Sequence, residues 1–290
     1  PRRCTLMIRG FIDFNTLDSK QSFTSNTLEN GVTLPGFQLQ IDANQVRSFA
    51  RGQQAIVMIG DPRIRDASLA QRIKQEGWSA ALPSLCDAPD AFLKQLSGRF
   101  ALLWIDLAKS SLGLASDRFN TNGFCYAQEG ARLSFADRAN AVPALNHELD
   151  RQAIFDYLYF HVIPAPGTIF KNILRLEPGS RLVANGRQVN ASPWWQAHFE
   201  EPADADFETC AGTFRQLVKN AVERNLDGSR VGAFLSGGTD SSTVVGMLSQ
   251  SGSPVTAYSI GFEADGYDEM EFARIAAKHF GVKHQPYYIT

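Results

Sequence analysis

The chain has 290 residues, of which 44% are hydrophobic and 20% are charged, with 28 basic and 30 acidic side chains. This length is typical of about two domains. The formal charge of −2 offers no general attraction to a polyanion, so we expect no nucleic-acid partner. The longest apolar run, residues 100–105, is far shorter than the roughly 20 residues that span a bilayer. No signal peptide is visible either, so we expect no membrane association.

The four cysteines are widely separated, and they have neither the spacing of metal ligands nor the density of a disulfide scaffold. They are Cys4, Cys86, Cys125 and Cys210. This usage favours a reducing cytoplasm. The chain begins with Pro1 and ends with residues 287–290, which are typical of a strand without a closing element. We therefore expect either a processed start or a fragment of a longer protein.

Residues 1–200 are predicted to form mostly β-structure. Short runs rich in strand-forming residues lie at 4–14, 53–59, 100–106, 112–116, 124–127, 132–136 and 181–184. Turn residues separate several of these runs, which is typical of an antiparallel meander. Helices are predicted at 67–76, at 89–96 with Pro89 in the first position, and at 151–160 with Asp150 as the N-cap.

Residues 201–290 follow a different pattern. Residues 201–206 are predicted to be a linker, and from Phe207 apolar side chains recur at helical spacing. Strands at 231–235, 255–260 and 283–290 then alternate with helices at 241–248 and 268–280. Asp268 and Glu271 have the spacing of a capping box, and Gly281 is the predicted end of that helix. Connections of this length imply a parallel sheet, so the predicted fold class is α/β with domains at 1–200 and 201–290.

The sequence Ser-Gly-Gly-Thr-Asp-Ser-Ser at 236–242 lies between the first of these strands and its helix. A helix N-terminus presents unpaired N–H groups to an anion, and two adjacent glycines let the backbone approach it closely. Ser236, Ser241 and Ser242 add hydroxyl donors. Asp240 would repel a phosphate unless a divalent cation bridges the two. The pattern therefore predicts a phosphate-binding loop, and a serine-capped tight turn is the structural alternative.

The residues at and around this loop carry a family resemblance. Segment 236–242 resembles the pyrophosphate loop of ATP pyrophosphatases. Segments 231–245 and 258–262, with Asp268, Glu269, Ala273, Arg274 and His284, resemble the synthetase domain of asparagine synthetases. Segments 166–173 and 176–179, with Trp194 and Trp195, are similar to the connection between that family's two domains. Segments 98–101, 117–119 and 135–136 resemble its N-terminal glutaminase domain. The resemblance extends from about residue 90 to the end of the chain.

The resemblance implies a first domain of stacked antiparallel β-sheets with helices, as in Ntn amidotransferases. It implies a second domain with the parallel sheet of adenine-nucleotide α-hydrolases, present only in part. It also implies that ATP and Mg²⁺ bind, with Asp240 holding the metal and the backbone of Phe234, Leu235 and Ile260 meeting adenine and ribose. The implied ATP-binding residues are Phe234, Leu235, Ser236, Gly237, Gly238, Thr239, Asp240, Ser241, Ser242 and Ile260. The family's pyrophosphate-binding Lys and its other catalytic residues are expected beyond Thr290.

The glutaminase half departs from the family pattern. Ile8 and Gly10 keep two landmarks of the nucleophile segment, but the position of the family's N-terminal Cys then falls on Leu6, and Cys4 lies two residues too early. The Asn-Gly-Glu turn is replaced by residues 59–62, and the Asp-Gly pair that holds the glutamine α-amine is replaced by Ser97 and Gly98. Asn120 and Gly123 also stand where the family has Gly and Pro. We therefore predict no glutaminase nucleophile in a domain that has kept its fold.

The predicted function is ATP-dependent amide-bond formation through an acyl-adenylate, as in asparagine biosynthesis. A small-molecule or peptide carboxylate and an amine donor are the expected partners, and a homodimer is left open. The loss of glutaminase landmarks is also typical of relatives that use an amine of the substrate itself, namely β-lactam synthetases and lasso-peptide cyclases. Two other classes stay open: a non-catalytic ATP-binding protein, and a glutaminase that acts alone after processing to Cys4.

Overall fold

The computed structural model describes residues 8–23, 28, 30–41, 46–200, 206–226, 228–252, 254–262 and 269–289. The chain forms two compact units, Pro1–His198 and Phe199–Thr290. None of the helices in the described ranges is long and apolar enough to cross a membrane.

The first unit contains two six-stranded antiparallel sheets. The strands of one sheet are β1 (Ile8–Asp13), β2 (Gly31–Leu34), β3 (Phe37–Ile41), β8 (Cys125–Glu129), β9 (Arg132–Ala136) and β10 (Leu174–Arg175). Their spatial order is β10-β8-β9-β1-β3-β2. The other sheet contains β4 (Val46–Arg51), β5 (Gln54–Ile64), β6 (Leu96–Asp106), β7 (Ser111–Ser116), β11 (Ser180–Asn185) and β12 (Gln188–Pro193). Its spatial order is β12-β11-β7-β6-β5-β4.

The main core of this unit lies between the two sheets. Ile12 and Phe135 of the first sheet pack in one cluster with Val57 and Leu103 of the second. Because side chains alternate along a strand, the neighbouring residues of β5 and β6 point the other way. There they pack against a 3₁₀ turn (Trp78–Ala81) and the helices α1 (Ala67–Glu76), α2 (Leu82–Asp87) and α3 (Pro89–Lys94). Strands β5 and β6 of the second sheet are therefore buried on both faces, and the two sheets stack as predicted.

Several predicted elements of this unit are confirmed. Helix α1 has the predicted bounds, and so does α4 (Arg151–Phe160). The side chain of Asp150 accepts a hydrogen bond from the N–H of Gln152 and so caps α4 as expected. The sequence did not predict β2, β3, β4, β10 and β12. In β12 four of the six residues are exposed and none is buried, so no alternation of buried apolar side chains marks it.

The second unit has the predicted order of elements. Helix α5 (Phe207–Glu223) precedes β13 (Val231–Phe234), α6 (Thr239–Ser249), β14 (Val255–Phe262), α7 (Met270–Phe280) and β15 (Lys283–Ile289). The three strands form a parallel sheet in the order β13-β14-β15. Leu235, Val245, Ala257, Ala273 and Ala277 form the core between this sheet and helices α6 and α7. The prediction of a parallel sheet is confirmed.

Two helix starts differ from the prediction. Helix α6 begins at Thr239, two residues earlier than expected, because Gly238 takes the extended N-cap conformation. Helix α7 begins at Met270 rather than 268, with Glu269 as an N-cap that makes no side-chain capping bond. The capping box predicted from Asp268 and Glu271 stays a prediction, because Asp268 lies outside the described residues. The predicted end is confirmed, since Gly281 has φ 65° and donates its N–H to the carbonyl of Ala277.

Candidate functional site

The loop between β13 and α6 lies at the carboxyl end of the parallel sheet. Open parallel sheets bind their ligands at this edge. Leu235 is buried, and its N–H donates to the carbonyl of Tyr258 on β14 at 2.8 Å. That bond fixes the chain at the last point before it leaves the sheet, so the loop starts from a rigid position.

Gly237 brings the loop into contact with the start of α7. Its φ is +90°, a value that side chains rarely allow. A Cβ on Gly237 would lie 2.5 Å from Cβ of Phe272 and 2.6 Å from the backbone N of Ala273. Gly238 is different, because its φ is −70° and the nearest atom to an added Cβ would be 3.5 Å away. Glycine is therefore required at 237 by both conformation and space, whereas at 238 it leaves the helix N-terminus open.

The two serines at the ends of the loop close it through a ring of hydrogen bonds. The N–H of Gly238 donates to Oγ of Ser236 at 3.3 Å, and Oγ of Ser241 donates to the carbonyl of Gly238 at 3.2 Å. The two hydroxyl oxygens are 3.0 Å apart, and the N–H of Ser236 donates to Oγ of Ser241 at 3.2 Å. Since Ser241 uses its single hydrogen on Gly238, the hydroxyl of Ser236 is the donor between the two side chains. The N–H groups of Ser236 and Gly238 thus have partners within the loop.

The free donors of the site belong to the first turn of α6. The first intrahelical bond runs from the N–H of Ser242 to the carbonyl of Gly238, at 3.0 Å. The N–H groups of Thr239, Asp240 and Ser241 precede it and have no acceptor within the helix. They point out of the N-terminus, where the helix dipole is positive, and both Thr239 and Asp240 are exposed. This arrangement suits an anion of the size of a phosphate group.

Asp240 is the one acidic residue in the first turn of α6. Among the described residues there is no group of three or more His, Cys, Asp or Glu side chains that could hold a metal ion. Asp240 alone is therefore not a preformed metal site. Magnesium is commonly held by one or two carboxylates together with phosphate oxygens and water, so a single exposed carboxylate beside an anion site is compatible with it. A carboxylate at this position also stabilises the helix dipole without any metal.

The residues predicted to meet adenine lie beside the loop on β13 and β14. The side chains of Phe234 and Ile260 are 81% and 53% exposed, and they are on the sheet face that α6 and α7 do not cover. Leu235 has both backbone groups engaged, because its carbonyl also accepts from Oγ of Ser259 at 2.5 Å. A ligand contact with the backbone of Leu235 would therefore replace or share an existing bond.

A buried polar pair under the loop was not predicted. Ser259 is 4% exposed, and its Oγ lies 2.8 Å from Nε2 of His284 on β15. Because the Ser259 hydroxyl donates to Leu235, Nε2 of His284 must carry the hydrogen that joins this pair. Burial, and next the charge of Arg274, lower the pKa of His284 below its ordinary value. A serine inside the apolar run 255–260 was the signal in the sequence that could have indicated this pair.

The positions of the lost glutaminase landmarks lie in the first unit. Leu6 and Cys4 are outside the described residues. Asp61 lies 3.6 Å from Nη2 of Arg47 and 3.6 Å from Nε of Arg63, and Arg47 also donates to the carbonyl of Gly60 at 3.1 Å. The hydroxyl of Ser97 donates to the carbonyl of Arg63 at 3.3 Å. At these positions the carboxylate is engaged by arginines, and Ser97 supplies no charge for an amine.

Asp117, which the sequence indicated only as part of a motif, organises the turn that contains Asn120 and Gly123. Its buried carboxylate accepts hydrogen bonds from the N–H groups of Phe100, Phe119, Thr121 and Asn122, at 2.9–3.2 Å. Asn120 has φ +52° and donates through Nδ2 to the carbonyl of Leu176 at 3.0 Å. A Cβ on Gly123 would lie 1.9 Å from Oδ1 of Asn120, so the two replacements fit each other. The buried carboxylate of Asp117 therefore fixes the backbone of this turn.

Together these features define a class of protein with a stacked antiparallel α/β unit and a parallel α/β unit that carries an anion-binding helix N-terminus. The family model of asparagine synthase matches residues 213–290, and that of the glutamine amidotransferase domain matches residues 81–195. Parts of both units are therefore similar to known domains, the second unit to asparagine synthase and the first to a glutamine amidotransferase domain.

Two similar proteins carry the name asparagine synthetase. Glutamine-hydrolysing asparagine synthetase 2, as assigned in Methanocaldococcus jannaschii, is 29% identical over 206 residues, which are 68% of this chain and 40% of that protein. Glutamine-hydrolysing asparagine synthetase 1 of Bacillus subtilis is 27% identical over 193 residues, 65% of this chain and 30% of that protein. The chain thus spans less than half the length of these relatives. A structure of glutamine phosphoribosylpyrophosphate amidotransferase from B. subtilis aligns with 97% of this chain and 59% of that one, with 13% identity and a TM-score of 0.39.

Proposed function

We propose that the protein forms an amide bond at the expense of ATP, through an acyl-adenylate. A carboxylate oxygen of the substrate attacks the α-phosphorus, and the bond from that phosphorus to the β-phosphate oxygen breaks, which releases pyrophosphate. An amine then attacks the acyl carbon, the bond to AMP breaks, and the amine loses a proton. The observation that carries this proposal is the glycine loop at the carboxyl end of β13, where it opens onto three free N–H groups of α6.

The loop suits the two outer phosphates of ATP better than a single small anion. The N–H groups of Thr239, Asp240 and Ser241 supply donors for one phosphate, and the hydroxyls of Ser236 and Ser241 lie next to them. When these hydroxyls turn from each other to a phosphate, neutral hydrogen bonds are replaced by stronger charge-assisted ones. The loop therefore binds and orients the pyrophosphate that leaves, which is where negative charge grows during the attack.

Asp240 is the residue that would hold Mg²⁺, in contact with the phosphates. The ion would supply positive charge to the leaving pyrophosphate. Phe234 and Ile260, exposed on neighbouring strands, offer an apolar surface for the adenine ring. In this proposal aspartate is the default carboxylate, because the named relatives are asparagine synthetases.

A second candidate differs in the source of the amine. In place of ammonia from glutamine, an amine of the substrate itself would attack the acyl-adenylate, as in a cyclase. The ion pairs of Asp61 with Arg47 and Arg63, and the uncharged Ser97, favour this candidate. A glutamine α-amine would find no free carboxylate at these positions.

Product analysis with α-labelled ATP tests the reaction. Labelled AMP, with pyrophosphate in equal amount, is expected in the presence of a competent carboxylate and amine. Labelled ADP would refute the mechanism. Glutamate release from glutamine separates the two amine sources: it is expected at background level in the parent and unchanged in Cys4→Ala. Release that disappears in Cys4→Ala would refute the second candidate.

ATP titration of loop variants tests the binding site. Asp240→Ala is expected to weaken ATP binding with Mg²⁺ present and to strengthen it without Mg²⁺, because the carboxylate then only repels the phosphates. Glu208→Gln is the matched control, since Glu208 is the acidic residue in the first turn of α5. Equal affinity of Asp240→Ala and the parent under both conditions would remove the metal role from Asp240.

A further inference from the structure

The first unit contains an open cavity of about 600 Å³ whose lining is basic and aromatic. The end of β5, the end of α3 and the turn after β7 each contribute one cation, and the segment after β12 contributes two indole rings. The residues that matter here are Arg65, Lys94, Arg118, Trp194, Trp195 and His198. A volume of this size lies within the range of small-molecule sites. None of the lining residues belongs to the loop at 236–242.

The positive charge of this cavity is not neutralised by the described part of the protein. No Asp or Glu side chain is among the lining residues. Arg65, Lys94 and Arg118 form no salt bridge with any residue that the structure describes. The carboxylate of Asp90 interacts electrostatically with Lys94, but it already accepts two hydrogen bonds from Arg181, at 2.5 and 3.0 Å. Three like charges around one cavity repel each other, so the cavity attracts an anion.

The side chain of Arg118 is fixed by its contacts, but not all of its N–H donors have a hydrogen-bond acceptor. Its guanidinium carbon lies 5.9 Å from the ring centre of Trp194 and 5.5 Å from that of Trp195, and Nη2 donates to the carbonyl of Leu96 at 3.3 Å. Its Nε is buried and has no hydrogen-bond partner among the described residues. Burial, and next the charge of Arg65, lower the pKa of Arg118. A buried N–H without an acceptor is costly, and the donors of the same guanidinium that make no bond in the described structure remain for an anion.

The two indole rings form a rigid wall. Trp194 is buried, is stacked on Phe100 with ring centres 6.2 Å apart, and donates its indole N–H to the carbonyl of Ser116 at 3.1 Å. Trp195 is half-buried, and its ring centre is 5.9 Å from that of Phe119. A planar apolar group can lie against such a surface without ordering any further side chain.

We propose that this cavity binds a small organic anion, whose phosphate or carboxylate group meets Arg65, Lys94 and Arg118 while a planar part lies against Trp195. The proposal is independent of ATP-dependent amide formation, because it concerns other residues in the other unit. It assigns Arg118 a binding role in addition to its place in the motif at 117–119.

Tryptophan fluorescence measures this binding locally. The four tryptophans, Trp78, Trp104, Trp194 and Trp195, all belong to the first unit, so the signal does not report the loop at 236–242. The probes are phosphate, phenyl phosphate, acetate and benzoate at constant ionic strength. We expect saturable changes with phenyl phosphate or benzoate, and weaker binding of the ring-free anion of the same kind. Preference for one of the two ring-bearing probes identifies the anionic group as phosphate or carboxylate, and either preference supports the proposal.

Variants decide whether the cavity is responsible. Arg118→Gln should weaken binding at least about tenfold, because it removes a charge-assisted bond. Arg65→Gln and Lys94→Gln change exposed side chains, so they keep the test valid if Arg118→Gln does not fold. Trp195→Leu should remove the advantage of the ring-bearing anions. The controls Arg151→Gln, an exposed cation on α4, and Asp240→Ala should bind as the parent does. The proposal would be overturned if the parent shows no saturable binding, or if the three cation variants bind the probes as tightly as the parent does. It would also be overturned if the parent does not prefer the ring-bearing anions.

Discussion

Gly237→Ala tests whether the shape of the proposed phosphate loop depends on this glycine. The residue has φ +90°, and an added Cβ would lie 2.5 Å from Cβ of Phe272 and 2.6 Å from the backbone N of Ala273. Neither atom can move without moving the first turns of α7. A left-handed conformation costs an alanine about 1–2 kcal/mol. Forced overpacking adds about 1–3 kcal/mol. We therefore expect the free energy of unfolding of the second unit to fall by about 2–5 kcal/mol.

Two other glycines of this unit separate the contributions. Gly252 has φ +77° but no atom within 4 Å of an added Cβ, so Gly252→Ala should cost only the conformational part, about 1–2 kcal/mol. Gly238 has an ordinary φ of −70° and open space. Gly238→Ala should cost at most about 1 kcal/mol, because alanine is a poorer N-cap than glycine.

The measurement is hydrogen exchange at increasing urea concentration, read by mass spectrometry on peptides from 231–252 and 269–289. A chain of two units does not have to unfold in one step, so a signal from the whole chain would mix their stabilities. Gly237→Ala should also raise the exchange rate of the first turn of α7. The reasoning is refuted if Gly237→Ala destabilises these peptides no more than Gly252→Ala does.

Three further predictions concern stability, pH and thiol chemistry. Asp117→Ala leaves four N–H groups around a buried site without their acceptor, so we expect a loss of more than about 3 kcal/mol in thermal unfolding. The control Asp156→Ala should lose no more than about 1 kcal/mol, because its partly exposed carboxylate accepts a side-chain hydrogen bond from Gln152; a small loss in Asp117→Ala would show that water replaces the carboxylate. The lowered pKa of His284 means that the unfolded chain binds the proton more readily, so stability of the second unit should be complete above the ordinary value of 6.5 and fall as the pH drops below it. His284→Gln should flatten that dependence, and an unchanged profile would contradict it. Desolvation raises the pKa of Cys86 to about 12 and that of Cys125 above its ordinary value, whereas Cys210 is exposed. At neutral pH, Cys210→Ser should therefore have one rapidly reacting thiol fewer than the parent, and Cys86→Ser should have the same number as the parent.

The strands that the sequence predicted best are those buried on both faces. In β5 and β6, Val57 and Leu103 face one cluster while Ile56 and Leu102 face the other, so the runs are apolar without interruption. Among the strands that it missed, β12 takes its conformation from its neighbour. β12 is mostly exposed and is held by its pairing with β11 from Gln188 to Pro193. Backbone pairing of this kind leaves no pattern in the side chains, so no local signal existed.

The parallel unit was predicted because its alternation of strands and helices is local information. The position of the loop followed from it, since a helix after a parallel strand starts at the carboxyl edge of the sheet. The start of α6 was placed two residues late, because Thr239 and Asp240 have no apolar periodicity to mark them as helical. The serine inside the apolar run 255–260 indicates a buried polar group, but its partner His284 could not be predicted, because it depends on the register that sets Ser259 opposite Pro286, two residues from His284 on β15.

The hydrogen bonds within the loop explain how the proposed anion site can be stable without its anion. The N–H of Gly238 donates to Oγ of Ser236, and the hydroxyl of Ser236 donates to Oγ of Ser241. The hydroxyl of Ser241 donates to the carbonyl of Gly238, so the ring of hydrogen bonds begins and ends at Gly238. Each serine hydroxyl has one hydrogen, and binding a phosphate redirects it without breaking the backbone bond from Leu235 to Tyr258. The first turn of α6 does not change, because its free N–H groups take no part in the ring. The loop is therefore preorganised in its backbone and adjustable only at two hydroxyls, which keeps the cost of ordering low when the anion arrives.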